Sequence, residues 1–276
     1  MIPITVVIPV KNEEKNLPRC LALLRDFSEV LVVDSSSTDA TRSIAEQHGA
    51  QVVDFKWNGK FPKKRNWVLR NVELKNEWVL FLDADEYVSS EFCEEVQRIT
   101  KNSTCDGFWI TYHNFFMGRK LKHGDPMRKL ALFRKGRGEY EKIEEDSWSH
   151  LDMEVHEHPL INGPVGSIAV PVEHHDYKGY EAYVTRHNAY STWEAQRYLA
   201  LRKMGFYELT GRQKIKYRLM GSWLLGPIYF IGSYIFKMGF LDGKAGWILA
   251  KNKHIYFFQI KCKIDELKSR EGVQVN

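Results

Sequence analysis

Cysteine is scarce in this chain, and what there is lies scattered. Cys20, Cys93, Cys105 and Cys262 are far apart and form no Cys-x-x-Cys pair. That argues against a structural zinc site or a disulfide framework and fits a reducing compartment. The start of the chain lacks a basic segment leading into an apolar run with a small-residue cleavage site. A strand-like Ile4–Ile8 opens at once, so no signal peptide is expected and the cytoplasm is the default. Glycine is absent from Val10 to Asn16, directly after the first strand-like run. This counts against a nucleotidyltransferase, which opens with a Gly-rich phosphate loop. There is no internal repeat and no low-complexity tract.

The 276 residues suit one large α/β domain with an appendage better than two full domains. With 43% hydrophobic and 27% charged residues, a packed core is within reach and global disorder is excluded. The net charge of +5 hides an asymmetry. Residues 197–276 hold 15 of the 40 basic and 5 of the 35 acidic residues, so the tail is +10 and residues 1–196 are −5. An acidic body with a basic tail points the tail at an anionic surface.

Strand and helix signals alternate through the first hundred residues. Thr5–Val10, Val30–Val33, Gln51–Val53 and Trp78–Leu82 read as short buried strands. Asn16–Phe27, Thr38–His48, Lys63–Asn71 and a segment capped by Ser89 or Ser90 and running to about Ile99 read as helices. Apolar strands separated by helices predict a parallel sheet covered on both faces. From about 105 to 175 the pattern changes, with strands expected at Phe108–His113, Lys129–Phe133 and Val165–Val170. Arg119–Asp125 and Arg134–Ser149 are charged and aperiodic and read as mobile loops. Tyr177–Met204 reads as one long helix or a broken pair.

The chemistry concentrates where strands end. Leu80–Leu82 runs into Asp83-Ala84-Asp85-Glu86, two carboxylates at i and i+2 after an apolar strand. The carboxyl end of a parallel strand opens into the ligand crevice. Two hard oxygen ligands there suit Mg²⁺ or Mn²⁺ shared with a diphosphate; the same acids would also suit a solvated helix N-terminus. Pro9, Asn12 and Glu13 follow the first strand, Asp34 and a hydroxyl-rich turn follow the second, and Lys63-Lys64-Arg65-Asn66 adds positive charge before the fourth. Together they place polar groups where a nucleotide would lie.

These stretches carry a resemblance. The runs Val6–Glu14, Val32–Thr41, Trp57-x-Gly59 to Arg65-Asn66, Leu82–Glu86 and Val155-His156-Glu157 resemble the inverting family-2 glycosyltransferases, of the bacterial lipopolysaccharide-core and surface-glycan type. The resemblance implies a GT-A fold: α/β and Rossmann-like, with a mostly parallel central sheet. Here it would occupy residues 1–204, with a nucleotide-binding region at 1–104 and an acceptor region at 105–204. A helical membrane-associating region would follow at 205–276. The resemblance also implies that Pro9, Glu13 and Asp34 hold base and ribose, that Asp83 helps bind the nucleotide, and that Asp85 is the principal metal ligand. Lys64 or Arg65 would lie near the donor phosphates or sugar. The run Lys63-Lys64-Arg65 is more basic than the usual pattern, which leaves open which cation does so. Glu157 matches the general base that inversion requires, with Glu144, Glu145 and Asp146 as competing acids. A late histidine completes the metal shell in some enzymes of this fold, which marks His175. The cluster His150, His156, His158, His174 and His175 would otherwise suggest zinc, but no cysteine joins it.

The implied activity is transfer of a sugar, by default the hexose of a UDP-hexose, to a hydroxyl of a lipid-linked glycan. A polyprenyl-phosphate acceptor, or a silent sugar-nucleotide-binding membrane scaffold, would keep the same fold. Residues 219–236 run for 18 positions without charge, yet Gly226-Pro227 should kink or break that helix. Trp223, Tyr229, Phe230, Tyr234, Phe236, Trp247, Tyr256, Phe257 and Phe258 alternate with lysines. The tail therefore reads as broken, interfacial or re-entrant rather than spanning, held on an anionic membrane surface at the cytoplasmic face of the inner membrane. Nucleic acid is a poorer partner, because the aromatics sit in helical runs with Leu and Ile rather than over a basic strand surface.

Overall fold

The computed structural model describes residues 1–272 apart from 125, 147, 150, 153, 155, 156, 176, 177, 207, 208 and 271. Compactness divides it into two units, one of residues 1–115 and 126–177 and one of residues 116–125 and 178–276. The sequence pattern puts a boundary at 204/205; the long helix 179–204 instead groups with the C-terminal segment.

The strands are β1 Ile2–Val10, β2 Phe27–Asp34, β3 Gln51–Asp54, β4 Trp78–Phe81, β5 Glu86–Tyr87, β6 Gly107–Phe116, β7 Arg119–Lys120, β8 Met127–Arg134, β9 Gly138–Tyr140, β10 Pro159–Ile161, β11 Val165–Ser167 and β12 Val172–His175. In the first unit a curled mixed sheet runs β3-β2-β1-β4-β8-β6-β12-β5. The pairs β2–β3, β1–β2, β1–β4 and β6–β12 are parallel, whereas β8 runs antiparallel to both β4 and β6. The parallel half follows from the β-branched run Val6–Val10, buried on both faces as central parallel strands are. Helices α1 Leu17–Ala22, α2 Thr41–Gln47, α3 Lys64–Asn71 and α4 Ser90–Thr100 connect the strands. Ser89 caps α4, its hydroxyl accepting from the Phe92 N–H.

One core cluster joins β1 and β4 to α1 and α4 through Ile4, Ile8, Leu17, Leu24, Leu80 and Phe92. A second, with Val7, Leu31, Val68, Phe81, Phe133 and Tyr140, lies on the other face. Within 134–149, read from the sequence as a mobile loop, Gly138–Tyr140 forms a short strand. This strand, β9, pairs with β10, and Tyr140 is buried edge-on against Phe81. Some of the segment's charges pair with distant residues, Glu139 with Arg70 and Glu145 with Lys63, which a local pattern cannot reveal. Likewise Val165–Val170 does not stay extended: β11 ends at Ser167, and a separate strand, β12, follows.

The second unit is helical, with α5 Gly179–Met204, α6 Gly211–Met220, α7 Leu225–Ile231, a π-helical turn Gly232–Phe236, a 3₁₀ turn Gly239–Asp242 and α8 Gly243–Arg270. Its core gathers Tyr198, Tyr217, Met220, Leu225, Phe257 and Ile260. Buried Glu194 accepts from Lys216 and, at 2.9 Å, from the Tyr217 hydroxyl. The charge-free run 219–236 is broken, as expected, but not at the residue expected. The chain turns at 221–224, and Pro227 sits in the first turn of α7, where its missing N–H and fixed φ are tolerated. Among the described residues no helix is long and apolar enough to cross a membrane.

Candidate functional site

The site begins at the carboxyl ends of β1, β2 and β4. Parallel register sets Pro9 opposite Val33 and Val10 opposite Asp34. The two following loops are laced together. Asn12, at φ 57, accepts from the Thr38 N–H at 2.8 Å, and the Glu13 N–H donates to Thr41 Oγ1 at 2.7 Å. The Asp34 carboxylate is buried and takes the Ser37 N–H and hydroxyl. Beside it, the buried Ser35 hydroxyl has no hydrogen-bond partner among the described residues. An orphaned buried hydroxyl in a polar crevice is what a ligand's polar atoms would satisfy.

Asp83 follows β4 and is held by two cations. Arg65 Nη2 donates to Oδ1 at 2.8 Å and Lys129 Nζ to Oδ2 at 2.6 Å. Burial works against its ionisation, but Lys129 and Arg65 outweigh that and hold the carboxyl well below the usual range. Lys129 also pairs with Glu86, which is only 1% exposed and pushed up by burial. Sequence reasoning missed Lys129. The antiparallel β4–β8 pairing sets Leu80 opposite Leu132, so the start of β8, with Lys129, lies toward the end of β4, which Asp83 follows. No local signal announces an antiparallel neighbour.

Asp85 meets a different histidine from the one expected. The His174 Nε2 lies 3.6 Å from Asp85 Oδ2, and its Nδ1 is 3.1 Å from Asn114 Oδ1, its partner in the β6–β12 register. His175 gives Asp85 its backbone N–H, at 2.9 Å to the carbonyl oxygen. Its ring stacks on Phe115 at 3.8 Å and its Nε2 lies 2.9 Å from Glu173. Neighbours on a strand face opposite ways, so only one of the two rings can face Asp85. Asp85 raises the pKa of His174 against the effect of burial.

The first turn of α3 organises the rest. Lys63 Nζ donates to Glu157 Oε1 at 2.8 Å and pairs with Glu145 as well. Lys64 reaches the Val10 carbonyl at 3.3 Å and lies 3.7 Å from Asp152, with burial lowering its pKa. Arg65 goes to Asp83 and to the Glu154 carbonyl. Glu154 accepts the Arg65 and Asn66 N–H groups at 2.9 and 3.0 Å, capping a helix whose own N-cap residue, Lys63, sends its side chain to the acids and makes no capping bond. The basic run is thus a hub tying 145–157 to the strand ends. Glu157 itself is 7% exposed, and burial pushes its pKa up to about 7 against the pull of Lys63. Of the competing acids, Glu145 shares Lys63, Glu144 pairs with exposed Lys142, and Asp146 accepts from the Phe61 N–H. A cleft lined by Trp57, Phe61, Glu145 and Glu157 opens there.

His150, His156 and Val155 lie outside the described residues, and His158 is exposed, with its N–H on Glu141. Among the described residues no cluster of three His, Cys, Asp or Glu side chains could hold a metal by itself.

Residues 5–151 match the profile of glycosyl transferase family 2, more than half of the chain. The chain is a family 2 glycosyltransferase. It is similar to an uncharacterised glycosyltransferase of Rickettsia felis, 29% identical over 88% of this chain and 83% of the relative. It is also similar to the lipopolysaccharide core biosynthesis glycosyltransferase LpsC of Rhizobium meliloti, at 24% identity over 99% and 96%. Among solved structures, S. aureus TarS with UDP-GlcNAc aligns over 99% of this chain and 93% of its own, at 17% identity and a TM-score of 0.47. The fold is mixed α/β and GT-A-like, its sheet parallel through β3, β2, β1 and β4.

Proposed function

We propose that this glycosyltransferase moves a sugar, with inversion, from a nucleotide-diphosphate donor to a hydroxyl of a lipid-linked glycan. UDP-hexose is the donor we infer, and lipopolysaccharide core the acceptor class. The carrying observation is Glu157, a buried carboxylate whose pKa is pushed up to about 7 and which is oriented by Lys63 on the turn that also holds Asp83. A general base is most effective when its pKa lies near the working pH. Pro9, Glu13 and Asp34 would line base and ribose. Arg65 holds Asp83 in place, which leaves Lys64, at the end of β1, as the cation closest to that cradle.

A divalent cation fits the donor set, provided the diphosphate completes the shell. Both oxygens of Asp83 are engaged, so Asp85 and His174 would hold Mg²⁺ or Mn²⁺, with Asn114 fixing the His174 tautomer. Such an ion would neutralise charge on the departing nucleotide diphosphate. We further place the enzyme at the cytoplasmic face of the bacterial inner membrane, peripheral or monotopic, where a lipid-linked acceptor resides.

Glu157→Gln tests the reading. Donor affinity should persist while turnover falls by about 10²–10⁴-fold. A polyprenyl-phosphate acceptor is already an anion and needs no base. Near-normal turnover in this variant would therefore overturn the hydroxyl-acceptor reading, and no turnover by the intact chain on any sugar nucleotide would favour a scaffold.

A further inference from the structure

The second unit sorts the aromatic residues of the tail into two sets. Tyr229 and Phe257 stack at 4.2 Å inside its core. Between 223 and 247, however, Trp223, Leu224, Phe236, Phe240, Leu241 and Trp247 are each about half exposed or more, with Phe236 at 80%. Large apolar side chains this dense on a surface mark an interaction site.

The backbone beneath them is fixed. Met238, at φ 56, turns the chain from the π-helical turn into the 3₁₀ turn. Gly239 and Gly246 then touch backbone to backbone: a Cβ on Gly246 would lie 1.9 Å from the Gly239 carbonyl oxygen. The Lys237 carbonyl accepts from the Gly124 N–H at 2.9 Å, and Asp242 accepts the N–H groups of Lys122 and His123 at 3.0 and 2.9 Å. Phe230, Tyr234 and Trp247 brace one another at 5.4 Å. Polar groups are satisfied inward while apolar side chains point outward, an arrangement suited to an apolar medium, where unpaired backbone groups are costly.

We propose that Trp223–Trp247 is a monotopic insertion surface that seats in the headgroup–acyl boundary of an anionic bilayer, with Phe236 reaching deepest. This deepens the membrane setting proposed above, on which it rests, and narrows the anchor from the whole basic tail to one element. Charge chooses lipid over a second copy of the chain. Exposed Lys237 and Lys244 lie within the surface, and residues 197–276 carry +10. A two-fold contact would set those lysines near their own copies, whereas an anionic headgroup layer neutralises them. Aromatic rings settle at that level of a bilayer.

The test uses the full chain, floated with vesicles of phosphatidylglycerol and phosphatidylethanolamine or of phosphatidylcholine alone, with light scattering for mass. The intact protein should float with the anionic vesicles. The triple variant Phe236→Ser, Phe240→Ser, Leu241→Ser should lose at least about a hundredfold in partitioning. Lys237→Gln with Lys244→Gln should lose about tenfold, and only on anionic vesicles at low salt. Both variants should keep UDP binding, which reports an intact first unit. A triple variant that floats like the parent would overturn the proposal. So would a parent that ignores vesicles yet forms a dimer that the triple variant dissociates. Normal flotation without transfer to a lipid-linked acceptor would instead sink the acceptor reading and leave the insertion surface standing.

Discussion

Lys63→Met isolates the tuning of the base. Lys63 is the cation 2.8 Å from Glu157, and it also faces Glu145. At an effective dielectric of about 20, unit charges at that separation attract by about 6 kcal/mol. Two carboxylates share the lysine, and water entering beside the methionine would replace some of the effect. About a third should survive as a shift, or about 1.5 pKa units. Because the lysine stabilises the ionised carboxylate, removing it moves the Glu157 pKa upward from about 7. Base catalysis needs the ionised form, so the rate limb should move to higher pH. At pH 7, where half of the parent's Glu157 is ionised, turnover should fall roughly 15-fold and recover at high pH, while Lys63→Arg should stay near the parent. The assay is the pH profile of kcat and of kcat/KM with a saturating donor. An inflection that stays at the parent's pH while the whole profile drops would show that Lys63 supports the fold and does not tune Glu157.

Three further outcomes are expected. Asp85→Ala should abolish metal-dependent donor binding in calorimetry and His174→Ala should weaken it, whereas His175→Ala should leave the Mn²⁺ dependence unchanged; the reverse order for the histidines would restore His175 as the ligand. Glu154→Ala strips two N–H groups of α3 of their acceptor and should cost about 2–4 kcal/mol in urea unfolding, where a loss under about 0.5 kcal/mol would contradict the capping role. Buried Glu157, with its pKa raised in the fold, contributes stability that is full below the unfolded carboxylate pKa of 4.5 and is lost as pH rises through about 7, so Glu157→Gln should be relatively more stable than the parent above pH 7.

The gathering of Pro9, Asp34 and Asp83 at the strand ends was legible in the sequence because each piece is local. Pro9, Asp34 and Asp83 follow apolar strands directly, and parallel strands joined by helices bring their carboxyl ends to one edge whatever lies elsewhere. The acid of residues 145–157 and its pKa were not legible in this way. Burial and Lys63 set the latter, and Lys63 lies 94 residues from Glu157 in the chain. Lys129 reaches Asp83 from the antiparallel neighbour β8, and His174 turns its ring toward Asp85 because neighbouring side chains along β12 point opposite ways. Within the loop expected at 134–149, β9 and the buried Tyr140 escaped notice for the same reason: their partners are distant in sequence.

Local order thus determined the strand–helix alternation, the acids at the strand ends and the charge asymmetry of the tail, since each depends on side-chain type and spacing alone. Tertiary structure decided which of Lys63, Lys64 and Arg65 meets which acid, which histidine faces Asp85, and which aromatics of 223–258 are buried. Those choices depend on strand register and helix packing, where a pairing across dozens of residues is selected by the fit of whole surfaces and leaves no mark at either position.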